Sequence, residues 1–261
     1  MFMRSILLLI IIFSNIITAL DVEVIELKNK SPDRVLYIGN SYLYYNDSLH
    51  NHVRRMLEEE YSKEIDRTNY KMVTISGSRL PHHNIEYPLN HKNLGAEEPF
   101  ELVILQGGSA EANTISERKD FSLKAKAMIE KIHEAGAEAA LYMIHAYVEP
   151  HENTNPEMIK NIKKMYIDAA NQNNVLVIPV GIAFENAYDL NPDIVLHKEY
   201  DGSHPSLLGT YLAACVVFSS ITHKSPLKIQ YDYFGKITQE DKKFLQEVAK
   251  NTVENFYRIK L

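Results

Sequence analysis

The chain has 261 residues, 45% of them hydrophobic and 24% charged, proportions that support a folded globular protein with a sizeable core and exclude intrinsic disorder. Its formal charge of −6 argues against nucleic-acid or anionic-membrane partners, which need a basic surface. Cys215 is the single cysteine, so no intramolecular disulfide is possible; it lies in an apolar helical stretch and reads as a packing residue.

In chain order, Met1–Arg4 and the apolar run Ser5–Phe13 form a basic start and a hydrophobic segment too short to span a bilayer comfortably. This is the pattern of a secretory signal over residues 1–19, with Ala19 the candidate cleavage point and an uncleaved anchor the alternative. It predicts a secreted or periplasmic protein, residues 20–261, free of the membrane once the signal is removed. Losing that segment subtracts only Arg4 from the charge balance and leaves the surface still more acidic.

Short aliphatic runs then alternate with amphipathic segments. The runs are Arg34–Gly39, Lys71–Ser76, Glu101–Gln106, Glu138–His145 and Val175–Val180. Each is almost continuously hydrophobic, which predicts strands covered on both faces, the habit of a parallel sheet. Helical patterns fall at about 47–61, 117–135, 156–173, 206–221 and 239–257. The alternation predicts one open, doubly wound α/β domain, with its active site beyond the carboxyl ends of the strands. The long connection Leu80–Pro99, rich in His, Asn and Pro, reads as a functional loop.

The first run ends in Gly39-Asn40-Ser41-Tyr42, which puts a serine at the carboxyl edge of the sheet beside a helix amino terminus. A serine there alone reads more simply as a cap. Near the other end stands Asp201-Gly202-Ser203-His204-Pro205. Pro205 restricts His204 to an extended conformation, and Asp201 is near enough to bind one imidazole nitrogen while the other faces a nucleophile.

Together the Gly-Asn-Ser and Asp-x-x-His-Pro blocks resemble those of the SGNH (GDSL-like) hydrolases, in an uncharacterised bacterial subgroup. The resemblance implies a three-layer α/β/α sandwich with a five-stranded parallel, flavodoxin-like sheet. It implies Ser41 as nucleophile and His204 and Asp201 as its acid–base partners, with no cofactor. It also implies an oxyanion hole made by the Ser41 N–H, a glycine after the second strand, here Gly77, and a side-chain amide after the third. At that third block the chain departs from the family's usual Gly-x-Asn-Asp and reads Gln106-Gly107-Gly108-Ser109. This is similar to the Gln-Gly-Glu-Ser version of acetyl-xylan and sialate O-acetyl esterases, which makes the Gln106 amide the expected third donor, the alternative being that Gln106 only makes hydrogen bonds at the strand end.

Arg79, His83 and His145 follow strand runs and are candidate substrate contacts. His82-His83-x-x-Glu86 and His145 with Glu149 and His151 are metal-ligand types, but Pro88 and Pro150 make both segments irregular, and no metal is expected. No phosphate-binding glycine motif occurs. The expected activity is hydrolysis of a short-chain ester, acetyl by analogy, on a small molecule or carbohydrate. The alternatives are a lipase or thioesterase for longer acyl chains, or a binding module that keeps the fold without turnover.

Overall fold

A computed structural model describes residues 21–261; the expected signal segment lies outside the described residues. Five parallel strands, β1 (Val35–Gly39), β2 (Tyr70–Thr74), β3 (Leu102–Leu105), β4 (Glu138–Tyr142) and β5 (Leu176–Ile178), form one sheet in the order β2-β1-β3-β4-β5. The helices are α1 (Ser41–Tyr44), α2 (Leu49–Tyr61), α3 (Glu86–Leu89), α4 (Ile115–Glu134), α5 (Met158–Asn173), α6 (Val180–Leu190), α7 (Leu207–Thr222) and α8 (Gln239–Tyr257). Every residue of β1 and β3 is buried, as strands covered on both faces must be.

From β1 the chain turns one way to β2, and from β3 the other way to β4 and β5. Right-handed crossovers therefore place α2 on one face and α4 with α5 on the opposite one. Helix α7 packs against α2, α6 and α8, and almost all of its side chains are buried. Side-chain caps start four of the helices: Asn40 for α1, Thr114 for α4, Ser206 for α7 and Thr238 for α8.

The strand order reverses between β1 and β3, so their carboxyl ends diverge and open a crevice at the sheet edge. All five expected strands form, with β2, β4 and β5 ending two or three residues before their apolar runs. Residues 143–147 continue from β4 as buried chain outside regular structure, and Pro179 ends β5 and caps α6, a helix for which the sequence holds no separate expectation, the run Val175–Val180 taking in only its first residue. The connection 80–99 is not open loop: it holds α3 and two 3₁₀ turns, Leu80–His82 and His91–Leu94.

Candidate active site

Ser41 is the first residue of α1, directly after β1. The N-cap is Asn40 rather than the serine: its Oδ1 accepts from Tyr42 N at 3.0 Å, leaving the Ser41 hydroxyl free of capping. The neighbouring β2 turn is sewn to this segment. Ile75 N and Ser78 Oγ both donate to Gly39 O at 3.1 Å, and Asn40 Nδ2 donates to Ser78 O at 3.1 Å. Among the described residues, neither Ser41 N nor Gly77 N has a hydrogen-bond acceptor, and Gly77 takes the left-handed φ of 65° that its turn requires.

The loop before α7 brings in the second half of the site. His204 Nε2 lies 2.9 Å from Ser41 Oγ, and His204 Nδ1 lies 2.6 Å from Asp201 Oδ2. A carboxylate only accepts, so Nδ1 carries the proton and Nε2 offers its lone pair to the serine hydroxyl. The other Asp201 oxygen accepts from the backbone N–H of Ser203 at 2.8 Å and of His204 at 3.0 Å. Partial burial opposes ionisation of Asp201, but the Ser203 N–H and the bonds from His204 outweigh it and hold the carboxyl below its ordinary range. Gly202, at φ 60°, lets the loop pass so close to Val148 that a Cβ would stand 2.0 Å from the Val148 carbonyl oxygen.

The expectation for Gln106 requires correction. Its side chain is buried under the Ser41 segment, with Oε1 accepting from Asn40 N at 2.8 Å and Nε2 donating to the carbonyl of Gly107. Both ends of the amide are engaged inside the protein, so Gln106 acts as a strut beneath Ser41 rather than as a donor facing the crevice. Gly39 makes room for it: a Cβ there would meet Gln106 Oε1 at 2.4 Å. The next N–H groups of this loop are also taken, Gly107 N by the Tyr166 hydroxyl at 3.1 Å and Gly108 N by Glu111 Oε2 at 2.5 Å.

His145 is corrected as well. It is fully buried, sandwiched between Tyr42 (centroids 4.2 Å apart) and Phe184 (4.4 Å), and cannot touch a substrate. Burial pushes its pKa well down, and the neutral ring donates from Nε2 to Ser203 O at 2.8 Å, bracing the His204 loop from below. His83 turns inward, its Nε2 2.9 Å from Ser78 Oγ, and supports the β2 turn instead of a ligand. Arg79 keeps a rim position: its stem lies against Gly108 and its half-exposed guanidinium pairs with Glu117 at 2.6 Å.

Several residues of the site escaped the sequence reading. Tyr45 stacks on His204 with centroids 4.3 Å apart, Tyr42 OH bonds Ser203 Oγ at 2.8 Å, and buried His197 donates from Nε2 to Ala146 O at 3.0 Å. The available signal was the polar and aromatic run Tyr42–Asn46 directly after the nucleophile block. Tyr44 and Tyr200 remain exposed beside Tyr45, Tyr200 at 70%.

No protein-family model matches the sequence, and no curated protein resembles it significantly. Solved structures do. A DUF4886 family protein from Bacteroides uniformis superposes with a TM-score of 0.66 at 20% identity, covering 87% of this chain and 96% of that one. A protein assigned to the SGNH hydrolases, from Slackia heliotrinireducens, gives 0.55 at 22% identity over 72% of this chain and 98% of that one. The acetyl xylan esterase AlAXEase gives 0.55 at 18% identity over 71% and 98%. At these identities the likeness concerns architecture. With its five parallel strands in the order 2-1-3-4-5 between layers of helices, the chain has the SGNH-hydrolase fold.

Proposed function

We propose that this chain is a serine hydrolase acting on short-chain esters, with acetyl on a carbohydrate as the substrate class. The observation that supports it most is His204, bonded to Ser41 through one ring nitrogen and to Asp201 through the other. In this reading His204 takes the Ser41 proton as Oγ attacks the ester carbonyl, and Asp201 stabilises the imidazolium that forms. The backbone N–H groups of Ser41 and Gly77, which have no acceptor of their own, bind the oxyanion. His204 then returns the proton to the departing alcohol, and water, activated by the same imidazole, releases the acid.

The acetyl and carbohydrate parts are finer than the fold. They draw on the Gln-Gly block of the sequence and on the acetyl xylan esterase among the similar structures. The exposed rings of Tyr44 and Tyr200 add support, because they adjoin Tyr45, which stacks on His204, and offer aromatic surface to a sugar. The amino-terminal segment fits an enzyme exported to meet such a polymer.

Steady-state hydrolysis of p-nitrophenyl esters from acetate to octanoate tests this reading. The expected kcat/KM is highest for acetate and falls as the chain lengthens, with Ser41→Ala inactive throughout. A maximum at octanoate would replace the acetyl esterase by a lipase, and equal rates for wild type and Ser41→Ala would remove the hydrolase altogether.

A further inference from the structure

Ser41 and His204 stand 163 positions apart in the chain, on separate loops, yet their side-chain atoms meet at 2.9 Å. Asp201 fixes the rotation of the imidazole, but it sits on the same loop as His204 and cannot fix that loop relative to the serine. The registration must come from contacts between the two loops outside the triad. Most of them converge on the turn that follows α1.

Asn46 is the centre of this turn. Its Nδ2 donates to Pro205 O and Ser206 O, each at 2.9 Å, and to Thr210 Oγ1 at 2.8 Å, sharing two hydrogens among three acceptors. Its Oδ1 accepts from Lys198 Nζ at 3.2 Å. Two carbonyls on one side and an ammonium on the other leave no ambiguity about which way the amide points. The Asn46 carbonyl accepts from Nε2 of buried His52 at 2.8 Å, which ties the turn back to α2.

The neighbouring residues complete the hold. Tyr45 lies nearly parallel on the His204 ring, at 21°, and Tyr42 OH meets Ser203 Oγ. His204 is thus gripped on both sides in sequence, through Ser203 before it and through Pro205 and Ser206 after it, and across its face. The backbone of the turn is held in a costly shape: Asn46, Asp47 and Ser48 have φ of 54°, 67° and 68°, three successive non-glycine residues in the left-handed region. Such conformations persist where surrounding contacts over-determine them.

We infer that Asn46 is a positioning residue which, with the Tyr45 ring, clasps the His204 loop to the nucleophile loop and sets the Ser41–His204 distance. The inference rests on the serine-hydrolase reading of this site. The plainer alternative is that asparagine stands at position 46 because it tolerates a left-handed φ.

Asn46→Gly separates the two, since glycine keeps the turn and relieves its strain while deleting every side-chain bond. The expected result is a folded protein whose kcat on p-nitrophenyl acetate falls roughly 10–100-fold, with KM within about twofold, the penalty of a base displaced by an ångström or less. Asn46→Asp, which keeps the shape but cannot donate to two carbonyls, should lose as much. A readout free of turnover is the downfield proton resonance of His204 Nδ1–H against Asp201, sharp in the wild type and broadened in Asn46→Gly as the loop gains motion. Wild-type kcat with an unchanged resonance in Asn46→Gly would overturn the clasp. If the wild type hydrolyses no ester but the resonance still broadens in Asn46→Gly, the clasp stands and the hydrolase reading fails.

Discussion

One carboxylate does two jobs at Asp201. Its Oδ1 shapes the loop by accepting two backbone N–H groups, and its Oδ2 fixes the tautomer of His204. The sequence made this pair legible because three-residue spacing before a proline brings the groups together locally. Gln106 is the opposite case. Its residue type and position suggested a donor to the oxyanion, but its fate depends on Asn40 N, 66 positions away, which takes Oε1 and draws the amide into the interior. Nothing in the residues around Gln106 announces that partner. Gln106→Ala should therefore act on stability first. It strands a buried N–H at a cost of about 1–3 kcal/mol, which lowers Tm by roughly 2–10 °C, and it slows turnover through a displaced Ser41. Thermal melting with parallel kinetics decides. An unchanged Tm beside a kcat reduced roughly 10²–10³-fold would restore Gln106 to the oxyanion hole.

Among the elements, the strands were readable because burial on both faces leaves a continuous apolar run, and all five long helical patterns match the observed bounds within two residues. Helix α6 was not, since the apolar run of β5 passes into it with only Pro179 between. What settles α6 is a close approach that only the folded chain displays. Gly181 N donates to Met143 O at 3.0 Å, and a Cβ at Gly181 would stand 2.0 Å from the Ile144 carbonyl oxygen. The segment that carries His145 is thereby pressed against the start of α6, so a change there reaches the underside of the His204 loop. Gly181→Ala should cost about 1–3 kcal/mol or more through overpacking, read as a lower Tm and a lower expression yield. A Tm equal to the wild type would show that α6 can move away from β4 freely.

At the scale of the whole molecule, acidity and burial set how stability varies with pH. Burial pushes the Glu111 carboxyl up to about 7, against weaker lowering by the Gly108 N–H and Arg79. Its folded-state value lies above its unfolded one, so the native state binds the extra proton and stability falls as pH rises from about 4.5 to about 7. The contribution is on the order of 3 kcal/mol. Asp201 works in the other sense: its depressed value adds stability above the ordinary carboxylate range, which is lost as pH falls through its folded value. Denaturant unfolding between pH 5 and 8 should show the Glu111 decline in the wild type and a flatter profile in Glu111→Gln, which still accepts from Gly108 N. Parallel profiles for the two proteins would assign the decline to other groups.

Activation of Ser41 by His204 can be read from the reaction of the folded protein with a fluorophosphonate probe, followed by peptide mapping of the modified residue. The expected result is a single phosphonylated site at Ser41, formed at a rate that collapses in His204→Ala while Ser41→Ala remains unlabelled. Labelling of another serine, or labelling of Ser41 at the same rate without His204, would contradict it.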